Sequence, residues 1–211
     1  MVPAITLSLA LVNLSPVDDA LGIRTSLTDC SSRCYHNTSC SSFFYDKVFG
    51  YCHVDTVVYS VVRDSLYWYP GMLYYEWKHE HCDESAGRKF QRASWLCFQL
   101  LTVKTSHLAA QSAGTLLTAN TQSKVDQAHL IASNKDERLW VGGVKQSGGW
   151  RWVSGKAFDD FEAWADGNPE AGKDCMIVLK STPKWSSTAC SKDRMYLCEV
   201  PIPQETSYCN Y

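Results

Sequence analysis

The sequence predicts an α+β protein of two small domains, each of which is stabilised by its own disulfide bonds. A chain of 211 residues has room for one or two domains. It contains 10 cysteines and no Cys-x-x-Cys pair, which favours disulfides made in an oxidising compartment over a metal site. Four cysteines lie close together between positions 30 and 52, whereas the other six are widely spaced, so the two halves differ in organisation.

Charge and hydropathy exclude several classes of protein. The chain carries 20 basic and 22 acidic residues and no run of five like charges, so neither nucleic acid nor an anionic membrane is an expected partner. No stretch approaches the roughly 18 apolar residues of a membrane span. Residues 1–12 are apolar enough for a signal-peptide core, a first strand or a truncated start, and the sequence leaves these three open. The cysteines indicate a secreted protein.

The first half predicts one short helix and a hairpin. Residues 26–35 read as the helix, with Thr28 or Asp29 as its cap, and the four-residue spacing of Cys30 and Cys34 places both on one helical face. Residues 41–45 and 51–54 read as strands around a turn that ends at Gly50. Aromatic residues at 67–69 and 73–77 predict further strands.

A helix beside a hairpin with four cysteines resembles a PAN/apple module, over about residues 15–78. The resemblance implies the disulfides Cys34–Cys40 and Cys30–Cys52, although four cysteines alone allow three connectivities. We therefore assign residues 1–78 to this module. The charged, turn-rich segment 79–90 is expected to be a linker.

Aromatic, glycine and cysteine residues between positions 140 and 199 characterise the second domain. In chain order they include Trp140, Gly143, Trp150, Trp152, Gly155, Phe161, Trp164, Gly167, Asn168, Pro169, Cys175, Trp185, Cys190 and Cys198. This order resembles the second half of a C-type lectin-like domain, which implies two helices, antiparallel sheets and a long loop region. We place the domain at 82–201, followed by a tail at 202–211. Its first strand is expected at 95–98, its helices at 105–113 and 123–133, and a strand at 116–117.

The same resemblance implies two disulfides, Cys175–Cys190 and Cys82–Cys97. In that family the partner of Cys198 lies near the end of the first helix, but this chain has no cysteine at 111–114. Cys198 is therefore expected to pair with Cys97 or Cys209, or to remain a free thiol.

The family's calcium site is altered at most of its ligand positions. Sugar-binding members carry a Glu-Pro-Asn or Gln-Pro-Asp triplet, a nearby Glu, and an Asn-Asp pair after a Trp. The matching positions here are Asn168 to Glu170 around Pro169, then Lys173, and Ser186 with Ser187. Calcium takes about six to eight oxygen ligands, whereas an ammonium group repels it. We predict no cofactor and no bound metal.

The sequence therefore predicts an extracellular recognition protein with a degenerate, calcium-independent site for a glycan or glycoprotein. The candidate ligand-binding residues are Asn168, Glu170, Lys173, Asp174, Trp185, Ser186 and Ser187. Tryptophans of this fold usually form its core, and Trp164 and Trp185 are the best candidates to stack on a sugar instead. A solvated loop without a ligand is the simpler interpretation of the polar residues.

Two alternatives differ in kind. One is a protein-binding, matrix or adhesion module that binds other extracellular proteins and no sugar. The other is a lectin that holds calcium at a different set of loop acids, namely Asp159, Asp160, Glu162 and Asp166. An enzyme is not expected, because no nucleophile elbow, zinc-protease motif or phosphate-binding glycine loop occurs. The sequon at Asn37 predicts a glycosylation site.

Overall fold

The computed structural model describes residues 5–16, 22–158 and 160–202. The chain forms two compact units, one of residues 1–97 with 201–211 and one of residues 98–200. Both combine helices with sheets, so the predicted α+β class is confirmed. None of the helices in the described ranges is long and apolar enough to cross a membrane.

The first unit is built on a five-stranded antiparallel sheet with one helix. Its strands and helix are β1 (Ile5–Ser15), β2 (Ile23–Arg24), α1 (Leu27–His36), β3 (Ser42–Asp46), β4 (Tyr51–Asp55) and β5 (Tyr67–His79). The strand order is β1-β5-β3-β4-β2. Residues 5–15, for which the sequence left three possibilities open, form a strand. The two aromatic segments predicted as separate strands form the single strand β5.

Helix α1 begins one residue after Ser26, which is its N-cap. The Asp29 backbone N–H donates to the Ser26 hydroxyl at 3.1 Å, and that hydroxyl donates to the Asp29 carboxylate at 2.7 Å. The predicted caps, Thr28 and Asp29, were wrong, because Asp29 lies inside the first turn and supplies the partner of the cap instead. At the other end, the Arg92 guanidinium donates to three backbone carbonyls between residues 34 and 37.

Disulfides and apolar packing fix the sheet of the first unit. Disulfides Cys30–Cys52 and Cys34–Cys40 join α1 to the β3–β4 region, and these are the pairs that the PAN/apple resemblance implies. A buried cluster of Leu11, Phe44, Met72 and Tyr74 fills the space beside the sheet. The sheet is therefore held by covalent links as well as by burial.

The segment expected to be a linker is folded. It contains a 3-10 turn (Glu84–Ala86) and strand β6 (Arg88–Gln91), and Cys82 is bonded to Cys97. Lys89 lies 3.4 Å from both the Glu84 and the buried Glu76 carboxylates. The charged side chains of this segment thus form ion pairs with β5. A turn-rich composition does not reveal such a contact between residues distant in the sequence.

The second unit contains two helices and a sheet. Its elements are β7 (Leu96–Thr105), α2 (His107–Ala113), α3 (Gln122–Asn134), β8 (Leu139–Gln146), β9 (Gly149–Trp152), β10 (Cys175–Val178), β11 (Trp185–Thr188) and β12 (Arg194–Val200). Strands β11, β10, β8, β12 and β7 are neighbours in that order, and β9 pairs with β8. The strand expected at 116–117 is a single bridge between Leu116 and Cys198.

The core of the second unit surrounds Trp140, Ile177 and Tyr196, beside the disulfide Cys175–Cys190. Among the described residues Cys198 is a buried thiol without a disulfide partner. Cys97, one of its expected partners, is bonded to Cys82, and the other, Cys209, lies outside the described residues. Burial raises the pKa of the Cys198 thiol to about 11.

Gly114 lies where the family's missing cysteine would be. A β-carbon built on it falls 4.0 Å from the Cys198 β-carbon and 3.3 Å from its sulfur.

Candidate functional site

A long loop between β9 and β10 lies on a base of aromatic side chains. This aromatic base comprises Trp150, Trp152, Phe158, Phe161, Trp164 and Trp185, whose rings contact one another with centroids between 4.8 and 5.8 Å apart. Trp185 is at its centre and is 0 % exposed. Its backbone N–H donates to the Ala163 carbonyl at 2.7 Å, and its carbonyl accepts from the Ala165 N–H at 2.9 Å. The loop is therefore anchored on β11 by both packing and backbone pairing.

Hydrogen bonds among four polar residues, two in the loop and two on β11, then join the tip of the loop to the strand. We call Asn168, Glu170, Ser186 and Ser187 the loop–strand network. The Asn168 amide oxygen accepts from the Ser187 backbone N–H at 2.9 Å, from the Ser186 hydroxyl at 3.0 Å and from the Ser187 hydroxyl at 3.3 Å. The Ser187 hydroxyl in turn accepts from the Glu170 backbone N–H at 2.7 Å. These bonds span 17 to 19 residues of sequence.

The loop–strand network uses the oxygens that a metal would need. An amide oxygen has two lone pairs, and that of Asn168 already serves three donors. The Ser187 side chain is only 4 % exposed, and its hydroxyl both donates and accepts within the network. Calcium coordination at these positions would therefore require the network to be broken.

The charged candidates lie on the solvent side of the loop. Glu170 and Asp174 are exposed, and Lys173 is partly exposed. Among the described residues, none of the three takes part in an ion pair, so all keep free hydrogen-bonding capacity. The Lys173 N–H donates to the Glu170 carbonyl at 3.3 Å, and Gly172 adopts a positive φ of 74° in the turn between them.

The structure separates the residues predicted to bind a ligand into two groups: the charged residues on the solvent side of the loop, and a buried pair. Trp185 and Ser187 are buried beneath the loop, so they support it and do not present a contact surface. Trp164, the other predicted stacking residue, is partly exposed and packs on Trp185. Asp159, one of the alternative calcium ligands, lies outside the described residues.

Sequence reasoning missed Lys145. This exposed β8 residue donates its backbone N–H to the Asp174 carbonyl at 2.8 Å and so lies beside the loop. The two residues meet only because β8 pairs with β10. No local sequence signal marks this proximity.

The described residues contain no group of three or more His, Cys, Asp or Glu side chains arranged to hold a metal ion. At the family's calcium position, Glu170 is the one carboxylate among the five matched residues, and Lys173 adds a positive charge. Because calcium requires an oxygen-rich, negatively charged cage, this donor set does not fit the ion.

Comparison with known proteins agrees with this architecture. The family described as "Lectin C-type domain" matches residues 88–200, more than half of the chain, and the family described as "PAN domain" matches residues 12–78. The chain belongs to the C-type lectin domain family and carries a PAN domain ahead of the lectin domain. The order of the two modules expected from the sequence is therefore confirmed.

Two relatives and one solved structure illustrate the extent of similarity. Lectin BRA-3 from Megabalanus rosa is 31 % identical over 90 residues, covering 40 % of this chain and 55 % of that protein. C-type lectin domain family 10 member A from Mus musculus is 28 % identical over 109 residues, covering 42 % of this chain and 36 % of that protein. Human lithostathine is 19 % identical with a TM-score of 0.49, covering 55 % of this chain and 98 % of that chain. The chain thus spans about half or less of the length of the two lectins.

Proposed function

We propose that this protein is an extracellular recognition protein whose lectin domain binds carbohydrate, free or on glycoproteins, without calcium. Its membership of the C-type lectin family and its similarity to proteins named as lectins support carbohydrate as the ligand class. Four disulfides support a location outside the cell. Lectin domains are binding modules, so we expect no catalytic activity, and we propose Asn37 as a glycosylation site.

The observation that carries calcium independence is the loop–strand network. In a calcium-dependent lectin the ion ties the loop to the strand and offers coordination positions to sugar hydroxyls. Here Asn168 and the two serines tie the loop to β11 through direct hydrogen bonds. An ammonium about 5 Å from a divalent ion would add roughly 7 kcal/mol of repulsion at an effective dielectric of about 20. The loop is thereby closed by groups that do not need the ion.

The groups available to a ligand are the exposed charged side chains of the loop, and not coordination positions on a metal ion. Glu170 and Asp174 accept hydrogen bonds from sugar hydroxyls, and Lys173 donates to hydroxyl or acidic oxygens. Because these side chains are solvent-exposed, the expected contact is shallow and each bond has modest strength. Such a site suits low affinity at one domain and stronger binding to clustered glycans.

A glycan array with the full chain, run in calcium and again in chelator, tests the proposal. We expect the same glycans to be bound in both conditions. Binding that disappears in chelator would refute the calcium-free mechanism while keeping the lectin assignment. An array without signal in both conditions would refute carbohydrate binding.

Matched substitutions locate the site. Lys173→Met and Glu170→Gln should each weaken array binding about tenfold, because each removes a charge-assisted hydrogen bond. Lys104→Met is the control, since Lys104 is an exposed lysine on β7 that pairs with Glu137. Equal losses in all three variants would place the binding site elsewhere.

A second candidate, a protein-binding or adhesion module, is favoured by the distribution of exposed apolar side chains. Among the described residues, nine of the eleven exposed large hydrophobic side chains lie in the first unit: Leu9, Val12, Ile23, Tyr35, Val48, Phe49, Val54, Tyr67 and Trp68. Contiguous exposed apolar surface is typical of protein contacts. A silent array together with capture of an extracellular protein by residues 1–97 would favour this function.

A further inference from the structure

The two edges of the first unit's sheet differ in length and charge. Strand β2 covers one edge with two residues, whereas β1 covers the other with eleven and contains no charged residue. Within the described residues, β1 has β5 as its single strand neighbour. An edge strand presents unpaired N–H and C=O groups, and proteins commonly protect such edges with charges or by keeping the strand short. β1 is long and uncharged, and its register with β5 is irregular between Leu9 and Leu11 and between Val12 and Leu14. The extended part of the strand between these points offers an edge that another strand can join.

The sequence of β1 has the same pattern of polarity in both directions about a midpoint between Ala10 and Leu11. A second β1 running antiparallel about this midpoint pairs Leu9 with Val12 and Ala10 with Leu11 in the extended part of the strand. Farther out, Ser8 lies opposite Asn13, whose φ of 56° departs from strand geometry. Every pair joins polar to polar or apolar to apolar. Because no charge is present, self-pairing brings no like charges together. The strand is thus complementary to a copy of itself.

The faces of β1 agree with this pairing. Leu9 pairs with Tyr75 and Val12 with Leu73, and the extra residue in the β1 register between Leu9 and Leu11 puts both side chains on one face. Leu9 is 49 % exposed and Val12 is 52 % exposed. In the antiparallel arrangement each of them covers the other residue of the second copy.

The opposite face continues an existing core. Leu11 is a member of the buried cluster of the first unit, and Ala10 packs against that cluster. Pairing Ala10 with Leu11 of a second copy would extend the cluster across the two-fold axis. Both faces of the strand therefore gain apolar burial from the same register.

We propose that the partner of β1 is the β1 strand of a second copy of this chain. The two sheets join edge to edge through antiparallel backbone hydrogen bonds, and the two-fold axis passes between Ala10 and Leu11. This is strand addition with a self-complementary surface, as a symmetric dimer requires. The paired units would present two lectin domains in one particle, which strengthens binding to clustered ligands.

Sedimentation equilibrium of the full chain, with free thiols alkylated to exclude disulfide-linked dimers, tests the proposal. We expect a monomer–dimer equilibrium in which the double variant Leu9→Lys/Val12→Lys is monomeric, because each pair then opposes two lysines. The double variant Leu9→Lys/Val12→Glu should dimerise again at low salt, since each introduced lysine faces a glutamate of the other copy. Its dimer should weaken as salt is raised.

Controls keep the experiment decisive. Val103→Lys/Leu108→Lys changes two apolar side chains of the second unit that are 72 % and 71 % exposed and should leave the dimer unchanged. Circular dichroism confirms that each variant is folded. Hydrogen exchange should show β1 amides becoming more protected as the wild-type concentration rises. A chain that stays monomeric at high micromolar concentration, or a dimer insensitive to the double lysine variant, would overturn the proposal.

Discussion

The aromatic base and the loop–strand network hold the same loop by different forces. Trp185 contacts four other rings of the base and is fully buried, so its contribution scales with apolar area. The network instead contains four hydrogen bonds near the surface, each with a small net contribution. The difference teaches that the base of the loop and its tip are held by separate residues, and that only the base contributes much to the stability of the domain. Function at the loop can therefore change while the fold persists.

The largest expected effect comes from breaking the base. Trp185→Ala removes a buried indole and leaves a cavity, which should lower the free energy of unfolding of the lectin domain by about 3–5 kcal/mol. Denaturant unfolding followed by circular dichroism measures the loss. The control Trp68→Ala removes a side chain that is 70 % exposed and should change stability by less than about 0.5 kcal/mol. Similar losses for both variants would contradict a structural role for the base.

The second effect strengthens the scaffold without touching the network. In Gly114→Cys, the new thiol should form a disulfide with Cys198, because the β-carbon separation of 4.0 Å is within the usual range. Closing so long a loop should stabilise the domain by about 2–4 kcal/mol. The melting temperature should rise under oxidising conditions and fall with reductant. Gly114→Ser, which cannot form the bond, is the control, and an equal rise in that variant would contradict the geometry.

The third effect breaks the network alone. Asn168→Ala removes the acceptor of three hydrogen bonds and leaves the Ser187 N–H without its partner, which should cost about 1–3 kcal/mol. Hydrogen exchange in the loop should accelerate while the rest of the domain keeps its protection. Asn168→Asp retains an acceptor oxygen and should show a smaller change. An unchanged loop in the alanine variant would show that the network does not close it.

The smallest effect is a pH dependence of the scaffold. His107 is buried against Trp140, and burial lowers its pKa below the usual value near 6.5. The unfolded chain therefore binds a proton more readily than the folded one. The contribution of neutral His107 to stability is present above the unfolded pKa and is lost as the pH falls from about 6.5 toward the folded pKa. Unfolding at pH 7.5 and 5.5 measures it, and His107→Gln should reduce the difference. An undiminished difference would assign the effect to other groups.

The sequence predicted the fold better than it predicted the contacts of the candidate site. Aromatic and cysteine spacing indicated the fold, because burial and disulfides impose regular positions along the chain. The strand expected at 116–117 is reduced to a single bridge, in which Leu116 pairs with Cys198. Trp185, one of the two tryptophans chosen as candidates for sugar stacking, is fully buried, since its surroundings come from residues throughout the loop.

The chemistry of the site depends on distant pairing, and this limits what a sequence conveys. Ser186 and Ser187 read as lost calcium ligands, yet in the structure they bond to Asn168 across 18 and 19 residues. Nothing in the sequence around Asn168 or around the two serines predicts that these hydroxyls form hydrogen bonds to the loop in place of bonds to a metal ion. The resemblance located the positions, and the geometry assigned their use.

The most direct test follows two amides of the network by hydrogen exchange in the full chain. The Glu170 N–H donates to the Ser187 hydroxyl, and the Ser187 N–H donates to Asn168. If hydrogen bonds close the loop, both amides should exchange at the same rate in millimolar calcium and in excess chelator. A bound ion at 100 times its Kd would stabilise the domain by about 2.7 kcal/mol. Slower exchange of these amides in calcium than in chelator would contradict the account.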